Sequence, residues 1–169
     1  AKVIERLLLI IISPYIAGKC LAGENQFAYC KNRGSRDALA LLTMKRIKAV
    51  DAGQKVLVYC SDVSGAFDKV SKPRLLEKLT AMGIHHKITT LIDSWLEPRN
   101  AAVVIGGSGS ASFQIKDTIF QGTVLGPQLW NLFFADAANA IKECMYEEVI
   151  YAVDLNAYKI VQSSTQVDN

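Results

Sequence analysis

The sequence predicts a mixed α+β domain, and three observations carry that expectation. Runs of β-branched and aromatic residues ("KVLVYCS" at 55–61, then 101–105, 111–116 and 149–161) alternate with helical stripes such as Leu75, Leu76, Leu79 and Met82. The crossovers between the outer strand runs are long, which suits strands sharing a sheet backed by helices. Half of the 169 residues are hydrophobic and 21% are charged, enough apolar material for a packed core and too much for a disordered chain.

Each element has a local signature. Lys2 to Ile12 reads as a helix stopped before Pro14, and its Leu7–Ile12 stretch is apolar on every side, so it needs cover all round. That stretch is too short to span a membrane, and no transmembrane segment is expected. Residues 23–34 are polar, aromatic and turn-rich, a loop or irregular hairpin. Ser35 is placed to cap a helix over 36–52 with Leu41, Met44 and Ile47 on its stripe and Gly53 at its end. "KVLVYCS" suits a strand buried on both faces. Ser71 and Pro73 open a second helix that Gly83 closes; Ile88, Leu91, Ile92 and Trp95 mark a third, stopped by Pro98. The runs at 101–105 and 111–116 flank "GGSGS" as a hairpin. Pro127 begins a helix bearing Leu129, Leu132 and Phe133. The last strand pair, 149–152 and 155–161, turns around Val153–Asp154.

Composition narrows function only loosely. The net charge of +3 permits a nucleic-acid partner without requiring one. Charge is uneven: residues 31–48 hold six Lys or Arg against one Asp, while 143–168 hold five acids against one Lys. Cysteines at 20, 30, 60 and 144 form no C-x-x-C pair, which speaks against a zinc knuckle and for a reducing compartment, cytoplasm or nucleus. Cys20 and Cys144 could pair only if the fold brought them together. The adjacent His85 and His86 lack the spacing of a helical ligand pair and read as surface or cap residues.

Three segments carry candidate chemistry. "YCSDVSGAFDKV" puts Asp62 at the end of a strand and Asp68 six residues on; read alone, this is a strand-end turn with Asp68 capping a helix. "FQGTVLGPQLW" has glycines at 122 and 126 that let backbone approach a ligand, although alone it is a loop-to-helix junction. "VIYAVDL" holds an acid at the tip of a strand pair, a common turn residue.

In order and spacing, "KVIERLLL", "NQFAYCKNRGSRDAL", "SDVSGAFDKV", "LLEKLTAMGI", "QGTVLGP" and "YAVDL" together resemble the reverse transcriptase domain of the type found in non-LTR retrotransposons and group II introns. The resemblance implies a right-hand polymerase palm, an antiparallel sheet backed by helices, with partial fingers over 1–54, palm over 55–169 as one compact unit, and no thumb. It implies RNA template and DNA primer as partners and Mg²⁺ as cofactor. Asp62 matches the first metal-binding aspartate, with the carbonyl of Val63 assisting. Phe67 matches the aromatic gate beneath the sugar, and Gln121 and Gly122 the segment along the incoming nucleotide and template. Lys31, Arg33 and Arg36 fall in the fingers block, where cations would meet phosphate.

The departures bear on activity. Where the family's turn reads Tyr-x-Asp-Asp, this chain has Tyr151-Ala152-Val153-Asp154. Val153 cannot bind Mg²⁺, and Asp154, the remaining candidate for the metal and catalytic role beside Asp62, is expected on the opposite face of the strand. Cys30 and Asn32 stand where many relatives carry Arg and Gly. The expectation is a reverse transcriptase-like domain without catalysis. The alternatives are a structural subunit that binds protein partners in a larger assembly, and a non-catalytic nucleic-acid-binding module.

Overall fold

The structure, a computed structural model, describes residues 2–115 and 119–162. Its helices and antiparallel strands confirm the mixed α+β class. The chain forms two compact units, each discontinuous in sequence: residues 1–18 with 65–133, and 19–64 with 134–169. The boundary expected at residue 54 falls inside the second unit.

The first unit is mainly helical. Helix α1 (Lys2–Gly18) continues through Pro14 instead of stopping before it. The proline sits on the exposed side, four residues after Ile10, which is 69% exposed, so the carbonyl deprived of its donor can meet water. Its buried stripe is Glu5, Leu8, Ile12 and Ile16, while Val3, Ile4, Leu7, Ile10 and Ile11 stay exposed; the all-round cover expected for this helix is absent among the described residues.

A 3₁₀ turn (Phe67–Lys69) takes in Asp68, which therefore does not cap a helix; Ser71 is the N-cap of α3 (Lys72–Ala81), with Pro73 in its first turn. Helix α4 (His86–Trp95) is capped by His85, whose Nδ1 accepts the Lys87 amide at 3.2 Å. Lys72 of α3 ties the two helices by pairing with Asp93 (2.8 Å) and Glu97 (2.6 Å). The hairpin is tighter than expected. Strand β2 (Arg99–Ala101) pairs with β5 (Phe113–Ile115), and β3 (Val104–Ile105) pairs with β4 (Ser108–Gly109) across Gly106 and Gly107, both at positive φ. Two successive left-handed residues match the twist of a two-residue hairpin turn. Lys116 of the expected strand lies outside the described residues. Leu75, Leu79, Ile92, Ile119, Leu125, Leu129 and Leu132 are the deepest apolar side chains of this unit.

The second unit holds a three-stranded antiparallel sheet in the order β1-β7-β6, where β1 is Lys55–Ser61, β6 Glu147–Tyr151 and β7 Asp154–Val161. Helix α2 (Ser35–Asp51) covers one face: Ala38 and Leu42 meet Phe27, Val149 and Tyr158, with Leu41 and Val56 alongside. On the other face Ala138, from α5 (Gly126–Glu143), packs with Ile150, Leu155 and Ala157. Three expectations are corrected here. Gly34, not Ser35, is the N-cap of α2, and the Asp37 carboxylate accepts the Gly34 amide at 2.8 Å. Met44 and Ile47 are exposed, because the buried stripe of α2 is Ala38, Leu42 and Ala49. Strand β1 is not buried on both faces: it is the outer strand, and Val58 and Tyr59 are 46% and 57% exposed. All four cysteines are free.

Candidate active site

The 151–154 turn is built from the 25–28 segment. Asn25 to Phe27 runs beside Ile150 through two backbone bonds, Phe27 N–H to the Ile150 carbonyl and Ile150 N–H to that of Asn25, each 2.9 Å. This places the buried Gln26 side chain under the turn. Its Oε1 accepts the amides of Ala28 and Ala152, both at 3.0 Å, and its Nε2 donates to the Ala152 carbonyl at 3.4 Å. Ala152 needs that support, since its φ of 57° is a left-handed conformation that costs a residue with a Cβ roughly 1 kcal/mol. The turn proper is Ala152–Val153, one residue earlier than the sequence suggested, and Asp154 is the first residue of β7, paired with Tyr151.

The register of β1 on β7 runs unbroken to Ser61 opposite Leu155. Asp62 is the next residue after that pair, just beyond the end of β1, and Asp154 is the residue before Leu155 on β7. Both aspartates are exposed, and both line one open groove of about 510 Å³ with Ser35, Cys60, Tyr151 and Asn156 among its other walls. Alternation is consistent with this: Val56, Val58 and Cys60 follow one face of β1, with Asp62 one residue beyond its end, and Asp154, Asn156 and Tyr158 follow the same face of β7. The Cys60 thiol meets the Asn156 carbonyl Oδ1 at 3.1 Å. Val153 occupies the turn itself, and its side chain contributes no oxygen. Val63, the residue after Asp62, is half-buried.

The donor set can be tested against a magnesium centre. Mg²⁺ wants near-octahedral oxygen ligation, and an in-line displacement between two ions wants carboxylates shared by both. Asp62 and Asp154 supply two carboxylates. Among the described residues no group of three or more His, Cys, Asp or Glu side chains is arranged to hold a metal ion. Among the described residues, two carboxylates alone do not fit a two-ion centre.

The remaining predicted residues are distributed as follows. Phe67 and the 121–122 segment belong to the first unit. There the Ile119 amide donates to the Phe67 carbonyl at 3.0 Å, the Phe67 ring lies 5.9 Å from that of Trp130, and Gln121 and Gly122 are exposed, Gly122 with φ 76°. Lys31 and Arg36 are exposed. Arg33 is engaged locally, donating to the carbonyls of Glu24 and Gln26 and lying 5.5 Å from the centre of the Phe27 ring. Asn32 adopts φ 60°, a conformation glycine takes freely and asparagine tolerates. Burial pushes the Cys30 thiol pKa up, against the opposing pull of Arg33.

Two residues that hold these segments escaped the sequence reading. Gln26 is one. The other is Glu5 of α1, only 3% exposed, whose Oε2 accepts the amides of Val124 (2.6 Å) and Leu125 (3.2 Å) immediately before α5. An acid in the first turn of an apolar helix was the available signal; its partners, about 120 residues away, were not.

Comparison with known proteins supplies the family. The pattern described as "Reverse transcriptase (RNA-dependent DNA polymerase)" matches residues 1–159. The chain is 28% identical over 166 residues to the RNA-directed DNA polymerase from mobile element jockey of Drosophila funebris, covering 97% of this chain and 18% of that protein. It is 24% identical over 168 residues to the jockey polymerase of Drosophila melanogaster, covering 98% of this chain and 18% of that protein. It is also 26% identical over 102 residues to the Pol polyprotein of the type-1 retrotransposable element R2 of Popillia japonica, covering 60% of this chain and 16% of that protein. The chain thus spans under a fifth of the length of these relatives, and with almost all of its own length inside the matched pattern it belongs to the reverse transcriptase family.

Proposed function

We propose that this chain is the palm and partial fingers of a non-LTR retroelement reverse transcriptase in which polymerisation has been lost. Members of the family use divalent metal ions and bind a nucleic-acid template and primer. The helix-backed antiparallel sheet with Asp62 at a strand end supports the palm reading. The observation that carries the loss is Val153 in the turn, where the family's pattern has an aspartate. Asp154 shares the groove with Asp62, so the strand face is not what disables the site. The shortfall is in oxygen donors, two carboxylates where metal-assisted phosphoryl transfer wants a third.

Primer extension on an RNA template, with Mg²⁺ and separately with Mn²⁺, tests this. The chain as it stands is expected to give no extension, and robust extension would overturn the reading. Val153→Asp, placed in a longer chain that includes a thumb, is expected to restore extension over the same chain with Val153. No gain there would put the damage elsewhere in the site.

A second reading, a structural module that binds protein partners, is favoured by the exposed apolar residues Val3, Ile4, Leu7, Ile10 and Ile11 on one helix. A stable protein complex recovered free of nucleic acid would support it, and salt-independent behaviour on an RNA–DNA hybrid would separate it from a phosphate binder.

A further inference from the structure

Among the described residues, strand β1 is bonded on one side only. It ends the order β1-β7-β6, and its seven residues run without a break in register along β7. Folded proteins usually guard such an edge with proline, a bulge, a central charge or a covering element. Here none of the first three is present. The strand has no proline, its pairing shows no bulge, and its one charged residue, Lys55, stands at its start. Leu57, Val58 and Tyr59, at its middle, are 36%, 46% and 57% exposed.

The strand is also complementary to itself. An antiparallel pairing of two copies about a two-fold axis at Val58 sets Leu57 against Tyr59, Val56 against Cys60 and Lys55 against Ser61. Apolar meets apolar on both faces, and the two lysines sit at opposite ends. A parallel pairing would instead bring Lys55 against Lys55. The two-fold arrangement consumes both free β1 edges, so it closes at two copies and extends each three-stranded sheet into one of six. We propose that a second copy of this chain docks on β1, edge to edge and antiparallel, with Val58 on the two-fold axis.

Sedimentation of the full chain across a concentration series, together with charge variants at Val58, tests the proposal. The wild-type chain is expected to pass from monomer to dimer. Val58→Lys and Val58→Glu would each place like charges on the axis and weaken the dimer about tenfold or more. An equimolar mixture of the two variants is expected to restore it, because only the mixed pair is attractive. Amide hydrogen exchange on the unmodified chain reads the same contact without a substitution, with protection of residues 55–61 rising with concentration. A chain monomeric at every concentration would overturn the proposal. So would a dimer indifferent to both variants, or concentration-dependent protection confined to another surface such as the exposed side of α1.

Discussion

The Gln26 side chain grips Ala152 through both of its backbone polar groups, accepting its N–H at 3.0 Å and donating to its carbonyl at 3.4 Å. The Ala152–Val153 turn that leads into Asp154 therefore owes its shape to a residue 126 positions before Ala152. Gln26→Ala would strand buried amides and release an alanine held at positive φ. A loss of about 2–4 kcal/mol is expected, since unsatisfied buried donors add to the lost bonds. Denaturant unfolding gives the magnitude, and faster exchange of the Ala152 amide locates it.

Glu5 plays the corresponding part before α5. Glu5→Ala removes a buried carboxylate that accepts two amides and should cost about 2–3 kcal/mol. Glu5→Gln keeps one acceptor oxygen and should cost clearly less. If the two variants proved equally stable to the wild type in urea, the clamp would have no energetic weight.

Gly126 begins α5 in a space with no room for a side chain. A Cβ there would lie 2.6 Å from Thr123 Oγ1 and 2.8 Å from Ile119 Cγ2. Gly126→Ala should destabilise by about 1–3 kcal/mol, an overpacking cost, with the Tm falling accordingly.

The second unit has a pH signature in Glu147 and Tyr158. The Tyr158 hydroxyl donates to Glu147 Oε2 at 2.6 Å, and Lys45 pairs with the same oxygen at 3.1 Å. The tyrosine's hydrogen bond is the main cause holding the Glu147 carboxyl below its ordinary 4.5, with Lys45 helping. Burial, then that same bond, pushes the Tyr158 phenol well above its ordinary 10.0. The Glu147 contribution is complete above pH 4.5 and is lost as pH falls through the lowered value; the Tyr158 contribution is complete below pH 10.0 and is lost as pH rises past it. Tyr158→Phe should cost about 1 kcal/mol at neutral pH and flatten both arms of the stability–pH curve.

Neutralising one of the two neighbouring aspartates should act in the opposite direction. Like charges facing each other across strands destabilise, so Asp62→Asn or Asp154→Asn is expected to raise stability by up to about 0.5 kcal/mol in metal-free, low-salt buffer, and less as salt is added. A fall in stability would mean that the carboxylates are not in cross-strand register.

Much of this molecule is written locally. Ser71 at the N-cap, Pro73 in the first turn and Gly83 after the end bound α3 through dihedral preference, and Gly106 and Gly107 supply the positive φ that the hairpin turn between β3 and β4 needs. The order of six short motifs sufficed for the family, and the valine at 153 is plain in the sequence. Other features needed the fold, because they depend on partners far along the chain. Pro14 could be kept inside α1 only because the carbonyl it deprives of a donor faces outward. The exposure of β1 followed from its place at the end of a sheet, which periodicity cannot reveal. Asp154 came to share a groove with Asp62 because the β1–β7 register, set between segments about 100 residues apart, brings those two strand ends together.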